Sequence, residues 1–555
     1  MSKEPKSVPS EQPTAGKNSP PTPKDLYSRR WYLGLDVGST GLAASLLLPA
    51  TQKVYPIYWV SEGEENRRFR LPGRVNWHPK GTDEAVVLDR FKPHLCRTIP
   101  HHFGASETPY PLLQIDPNHT LFLGEFRRAL QLLISTLNPH VGAVELSPES
   151  GEKLSLPRPH TCGAIGLEPD AFKNALDRLA GVIVGGPANA SHAYRFNVRE
   201  AILETGLVDN PGQILTVEDA IATLLTPSDE PPPEGLTLMI NSGAKTTELM
   251  LVDFAENIAI GESIAYGGDD LNWDIIYQLI PQDLLAGDNP NFQSPLFNLI
   301  ENNKNILQQG KNLTLPLKGT EIKLTQADFN RRVLQPFIQT LNRELNQLMS
   351  RVGTSPVAVK RAICWGGNGS WPAFTQWLRQ KLPSAAVMQT PNPGESVASG
   401  LARVKLYPQF FDFARQQYGD YFLLGELLKV FGDVPLSAKV VMNRLEERGV
   451  NTRACEAQIL AILDGQLPAG FVPSESDWAL FAPESRSHPD IEMISQGALF
   501  YKDVDGSYFI NLERSERSRQ YLHQLSQGHR QSLDEPLAIG EFDGGVGSRE
   551  SGVGK

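Results

Sequence analysis

The sequence predicts an α/β protein of two similar lobes followed by a mainly helical region, and three observations carry that prediction. From Trp31 onward, short apolar runs punctuated by glycine alternate with longer helical patterns, the texture of an α/β fold. The segment WYLGLDVGSTGLAASLLL (31–48) reads as a strand, a tight glycine-containing turn and a second strand. GLTLMINSGAKTTELMLVDF (235–254) repeats that design, so two related lobes are expected. A chain of 555 residues also exceeds what one hydrophobic core usually holds.

Composition narrows the classes of function. With 40% hydrophobic and 21% charged residues the chain is neither fibrous nor wholly disordered. A net charge of -11 argues against broad electrostatic binding to nucleic acid or anionic membrane. Cys96, Cys162, Cys364 and Cys455 lie far apart with no CxxC pair, so reduced thiols are expected and neither a zinc knuckle nor a disulfide framework is. Residues 1–30 are rich in Pro, Ser and Lys and lack the apolar run of a secretory signal. They read as a disordered leader. No segment reaches the length of a membrane span, and a cytoplasmic location is the default expectation.

The remaining elements follow in order. LAGVIVGGPA (179–188) reads as a buried strand ending in a Gly-Gly-Pro turn, and 191–205 as a helix. Segments 271–280 and 296–309 have helical apolar spacing; TEIKL (320–324) starts as a strand before a long amphipathic helix. AVKRAICWGGNGS (358–370) runs as a strand into a glycine-rich turn, with Pro372 early in the next helix and a last helix near Glu395. After about residue 405, three helical stripes at Leu423–Phe431, Val440–Leu445 and Ile459–Leu463 precede a hairpin turning at Asp505-Gly506. The tail from about Leu533 is glycine-rich and reads as disordered.

A nucleoside triphosphate needs backbone N–H groups and hydroxyls around its phosphates, carboxylates around hydrated magnesium, and a slot for its base. In the first hairpin Gly38 and Gly41 allow close approach of the backbone, Ser39 and Thr40 offer hydroxyls, and Asp36 is placed to hold magnesium-bound water. A lone DxGST is equally an ordinary turn. Its recurrence gives it weight: Asn241, Gly243, Thr246, Thr247 and Glu248 repeat the polar group, glycine and hydroxyls at nearly the same offsets.

Taken together, these motifs resemble, in order, those of the actin, hexokinase and DnaK-type superfamily, and most closely the nucleotide-binding domain of DnaK-type heat-shock chaperones. LGLDVGSTG resembles the first phosphate motif and NSGAKTTE the second. VIVGGPANASHAYRFNVREAILETGL, with Pro187, Ala188 and Arg195, is similar to the first connecting segment, and NPGESVASGLARV to the second. The resemblance covers roughly 31–405 and implies a two-lobed actin-like ATPase fold of duplicated ribonuclease-H-like domains, with lobes at about 31–230 and 231–405. It implies ATP or ADP and Mg2+ as cofactors, client proteins or co-chaperones as partners, and no nucleic acid or membrane.

Residue by residue, the resemblance makes Glu218 in TVEDAIATLL the catalytic-centre glutamate, beside Asp36 and Asn241. Gly267 and Gly268 in GGDDLNWDI match the family's GGEDFD segment and are expected to bind nucleotide. Glu301, Lys304, Asn305 and Gln308 in IENNKNILQQ match the adenosine-contacting helix, and Gly366, Gly367, Asn368, Gly369 and Pro372 the adenosine motif. Lys92 is the candidate for a lysine near the γ-phosphate.

Three departures bear on chemistry. Asn241 stands where the family has aspartate, Ala244 and Lys245 replace consecutive glycines, and Asn305 replaces an adenine-stacking arginine. A neutral amide at 241 removes charge used by magnesium and the attacking water, which favours binding over fast turnover. Lys245 either reaches the phosphates or points into solvent from the loop tip. His101, His102 and His192 read as surface or turn histidines, not zinc ligands. Trp31, Trp273, Trp365 and Trp371 read as packing residues, and Asp269 and Asp270 as caps of the helix that follows.

The expected function is an ATP-binding, DnaK-like chaperone or nucleotide-gated switch with slow hydrolysis. Two alternatives stay open: a non-catalytic actin-like scaffold or filament protein, and a small-metabolite kinase. Residues 406–530 read as a mainly helical domain without the family's client-binding β-sandwich, and 531–555 as a tail.

Overall fold

The computed structural model describes residues 31–80, 85–103, 108–138, 145–146, 153–187, 190–226, 235–253, 255–256, 258–285, 295–317, 319–369, 371–390, 393–408 and 418–530. The leader at 1–30, Ala188 and the tail at 531–555 lie outside them.

The first hairpin forms as read. Trp31–Gly38 pairs antiparallel with Gly41–Leu48, and Gly38 faces Gly41 across the turn. Nearly every side chain of the two strands is buried, as expected of strands covered on both faces. Lys53–Ser61 and His160–Ala164 extend the sheet antiparallel on one side. Leu179–Gly186 and Ile214–Glu218 extend it parallel on the other. Numbered by their order along the chain, the five principal strands lie as third, second, first, fourth, fifth, with His160–Ala164 added beyond the third.

A second sheet repeats this order. Thr237–Ser242 pairs antiparallel with Thr247–Asp253, Ile258–Ile264 adds antiparallel beyond it, and Arg361–Trp365 and Ala386–Gln389 add parallel on the opposite side. The molecule is thus mixed α/β with mixed sheets, built around one strand order used twice.

Two helices lie between the sheets. Asp219–Leu224 follows the last strand of the first sheet, and Pro393–Arg403 follows the last strand of the second. Ala220, Ile221, Val397 and Leu401 share a core with Ile183, Leu215 and Val217 of one sheet and Met239, Met250 and Trp365 of the other. The helix Pro393–Arg403 lies so close to the first strand that a Cβ on Gly34 would sit 2.2 Å from the Ala398 carbonyl. Gly400 meets the Ala222 carbonyl in the same way, and Ser45 and Ser399 hydroxyls are 3.1 Å apart.

On its outer face the second sheet packs against Gly268–Leu279, Pro295–Asn303, Gln335–Val352 and Pro372–Lys381. The helix expected over 296–309 is broken at Lys304 into Pro295–Asn303 and Asn305–Gln308. The strand Thr320–Leu324 pairs with Leu313–Leu317, which the sequence reading omitted.

The C-terminal helices Asp420–Val430, Ala438–Glu447 and Thr452–Leu463 match the three stripes, and Phe500–Lys502 pairs with Tyr508–Ile510 around Gly506, which has φ +84. This region does not have a core of its own. Tyr421, Phe471, Phe481 and Tyr521 join Phe103, Tyr110 and Phe196 in one continuous cluster. Backbone bonds Gln114 N to Leu480 O and Ala482 N to Leu112 O tie the two parts together. His101 sits among Phe103, Tyr110 and Tyr521, and His192 packs on Tyr421. Both are buried core histidines, not surface ones. No described helix is long and apolar enough to cross a membrane.

Candidate functional site

Because the sheets share one strand order, their two hairpin turns open onto the same space. A cavity of about 520 Å³ lies there, with Asp36, Gly38, Ser39 and Thr40 on one wall and Asn241, Gly243, Ala244 and Thr246 on another. Gly268, Glu301, Lys304, Asn305, Gly366, Gly367 and Asn368 also line it. Residues from nine separate stretches of sequence, Arg70, Lys92, Asp219 and Val397 among them, therefore converge on one cleft.

The second turn is held by its neighbours. Gly243 N donates to Thr246 O at 2.9 Å, and Gly268 N and Asp269 N donate to the carbonyls of Gly243 and Ala244. Asn368 Nδ2 donates to Gly243 O at 3.3 Å. Gly366 has φ +85, and a Cβ there would meet Ser242 O at 2.4 Å and Asn241 Oδ1 at 2.6 Å. Only glycine satisfies both restraints. Gly243 and Gly367 leave open space toward the cavity, since a Cβ on Gly367 would have nothing within 4 Å.

Six of the expected residues do not line the cavity. Thr247 is buried, its hydroxyl donating to Tyr266 O and bonded to Ser242 Oγ. Gly41 gives its carbonyl to Arg70, and Gly267 caps the helix behind the wall, its N–H bound by Asp270 Oδ2 at 2.8 Å. Gln308, beyond the break at Lys304, lines a separate cavity of about 530 Å³ with Phe329 and Trp371. Glu218 ends its strand just outside the lining, and the next residue, Asp219, lines the cleft instead. Lys245 takes neither expected position: its Nζ lies 3.2 Å from Asp269 Oδ2.

Of the charged frame of this cleft the sequence points to Lys92, which lines it, but not to Arg70 or Asp219. Arg70 Nη1 donates to Asp36 Oδ2 and Nη2 to Gly41 O, both at 3.0 Å. A Cβ on Gly38 would lie 1.8 Å from that guanidinium, so the glycine makes room for Arg70. Lys92 Nζ donates to Asp219 Oδ2 at 3.0 Å. Burial alone would push Lys92 toward neutrality, but Asp219, Tyr194, Glu248 and Asp36 outweigh it and hold the ammonium well above its ordinary range. Burial, with Asp36 and Glu248 nearby, pushes the Asp219 carboxyl up to about 7 against the pull of Lys92. The two directions agree physically: one ammonium among three carboxylates keeps its proton, and the surplus carboxylate is where a further proton goes.

Arg90 ties the two halves of the molecule together. Its guanidinium donates to Asp269 through Nε at 2.5 Å and Nη2 at 3.1 Å, to Glu301 at 2.8 Å and to Asp89 at 2.9 Å. It also lies 5.5 Å over the Phe297 ring. Its φ of +54 is costly for a residue with a Cβ, and the ion pairs hold it there. Asp269 is therefore a buried partner of Arg90 and Lys245; of the adjacent acids, only Asp270 acts as the expected cap. Lys304 Nζ donates to Gly268 O at 3.0 Å; burial lowers its pKa, with Asp269 and Glu301 opposing.

These residues suit a polyphosphate: glycine-walled space, three hydroxyls and two cations at one end, and Glu301, Lys304, Asn305 and Asn368 at the other. They do not suit a divalent metal. Asp36, expected to hold metal-bound water, already accepts from Arg70; Asp219 through Oδ2, Asp269 and Glu301 are likewise paired with side-chain cations, and Glu248 lies near Lys92. Among the described residues no three His, Cys, Asp or Glu side chains come together as a metal site. Trp365 lines the cleft, and its buried indole Nε1 has no hydrogen-bond acceptor among the described residues. No protein-family model matches the chain, and no curated protein matches it.

Proposed function

We propose that this chain is an ATP-binding protein with the two-lobed, actin-like architecture of DnaK-type proteins, and that it works as a slow nucleotide-gated switch. The observation carrying this reading is the repeated strand order, which sets two glycine-containing hairpin turns across one cleft of about 520 Å³. Ser39, Thr40, Thr246 and the backbone of Gly38, Gly243, Gly366 and Gly367 would hold the phosphates, with Lys92 and Arg70 supplying charge. Glu301, Lys304, Asn305 and Asn368 would face the nucleoside.

Slow turnover follows from the carboxylates. A water attacking phosphorus needs a group that orients it and takes its proton. Asn241 is a neutral amide, and Asp36 and Asp219 are each held by a protein cation. The cleft is therefore better equipped to bind than to hydrolyse.

The C-terminal region is placed to sense the cleft. Lys92 lies on the short helix Phe91–Leu95, and immediately after it Arg97 pairs with Asp477 at 2.5 Å while Thr98 Oγ1 donates to Gly470 O. A shift of Lys92 on ligand binding would be felt at these contacts. Calorimetric titration with ATP, then a single-turnover assay on the same sample, tests the reading. Saturable binding is expected, with hydrolysis on the order of 10⁻³ s⁻¹ or slower, as for nucleotide sites lacking a supplied catalytic charge. Absence of ATP binding would sink it and leave a non-catalytic scaffold.

A further inference from the structure

We infer that the polyphosphate bound in this cleft is taken metal-free, with Arg70 and Lys92 standing where a divalent cation would otherwise be needed. The inference rests on the nucleotide reading above and specifies which form of the ligand the site takes.

The argument is one of which charges face the cleft. In the Arg70–Asp36 pair the cation side chain is 31% exposed and the carboxylate 8%. In Lys92–Asp219 the values are 13% and 5%. In both pairs cation and carboxylate line the cavity, and the cation is the more exposed member. A hydrated divalent ion binds through oxygen ligands turned toward it, whereas a polyphosphate seeks N–H donors turned toward it. This wall offers the second arrangement.

Arg70 is fitted for the role by its remaining donors. Two nitrogens are engaged, by Asp36 and by Gly41 O, and a guanidinium presents five N–H groups in a fixed fork. It can therefore keep its anchor on Asp36 while donating to phosphate oxygen. Lys92 lies deeper, beside Asp36, Asp219 and Glu248, and a buried ammonium among carboxylates occupies the electrostatic position of a bound metal. Asn241 fits the same scheme, because an amide needs no cation to balance it. Two carboxylates depart from this arrangement: Glu248, which lines the cleft near Lys92, and Glu301 at the far end, which is more exposed than its partner Arg90. That is the end where hydroxyl groups of a ribose, not phosphates, would meet a carboxylate.

The test uses the full chain and ATP as the probe, titrated by calorimetry once in excess magnesium and once in excess EDTA. The expected dissociation constants agree within about threefold. Binding at least about tenfold tighter with magnesium would overturn this inference and leave the nucleotide reading standing; no binding in either buffer would overturn both. Arg70→Gln, checked for an unchanged melting profile, is expected to weaken binding in EDTA by about tenfold and to make binding magnesium-dependent, since one charged donor is lost. Arg70→Lys keeps the charge but not the fork, and is expected to bind in EDTA more tightly than Arg70→Gln and more weakly than the parent. Unchanged EDTA binding by a folded Arg70→Gln variant would also overturn the inference.

Discussion

Arg90 shows how one side chain sets both stability and geometry. It balances Asp269 from a left-handed backbone position and reaches Glu301 across the cleft. Replacing it by Ala leaves Asp269 buried without its closest cation, with Lys245 and the more distant Lys304 to offset its charge. The expected loss is about 3 kcal/mol, the scale for breaking one side of a buried ion pair, read as a lower urea midpoint with unchanged slope. At the other charged centre, Asn241→Asp would introduce a carboxylate into a wall whose Asp36 and Asp219 are already paired. We expect single-turnover ATP hydrolysis to rise by about tenfold or more, because a proton acceptor for the attacking water returns. An unchanged rate in a folded variant would remove Asn241 as the reason for slow turnover.

Among elements, the helix Pro393–Arg403 decides how the sheets meet. It can lie on the first strand only because Gly34 carries no side chain, and against the helix Asp219–Leu224 only because Gly400 carries none. Gly400→Ala would place a methyl 1.6 Å from the Ala222 carbonyl, and backbone cannot yield as a flexible side chain would. The expected cost is about 3 kcal/mol or more, measured by thermal melting. An alanine at exposed Gly310 would not test this packing, since that glycine has φ +81 and fails for a different reason. The short helix Asp219–Leu224 matters equally, because it fixes which of two adjacent carboxylates enters the cleft.

At the scale of the whole molecule, the C-terminal region behaves as part of the first unit. A chain ending near residue 405 would uncover the surface now packed by Tyr421, Phe471, Phe481 and Tyr521. Such a fragment is expected to bind a hydrophobic dye and to lose amide protection around Phe103 and Tyr110; a compact, protected fragment would contradict the shared core. The same junction makes stability depend on pH. His101 and His529, and His94 beside it, are pushed down by burial to about 3. Unfolded histidine titrates near 6.5, so below that pH protons bind the unfolded chain first. Their neutral, folded contribution is complete above about pH 6.5 and is lost as pH falls toward 3. Roughly 2 kcal/mol for each histidine is at stake by about pH 5, visible as a falling melting temperature that His101→Phe should flatten.

Much of this was written locally. A strand, glycine turn and strand occupy contiguous residues, so both hairpins, the buried strand Leu179–Gly186 and the helices after it could be read directly from apolar spacing. So could most of the cleft lining contributed by those turns: Asp36, Gly38, Ser39, Thr40, Gly243 and Thr246. What only the tertiary structure decided are the partners. Arg70, Arg90 and Asp219 lie in no recognisable spacing with Asp36, Asp269 or Lys92, and nothing local marks a cation that meets its carboxylate through folding. Small rotations also lay beyond the sequence. Along a helix each residue turns about 100°, so a break at Lys304 sends Gln308 to another cavity, and the step from Glu218 to Asp219 changes which carboxylate faces the ligand. Local pattern determines which elements form; contact between distant residues determines which side chains meet and what charge the cleft presents.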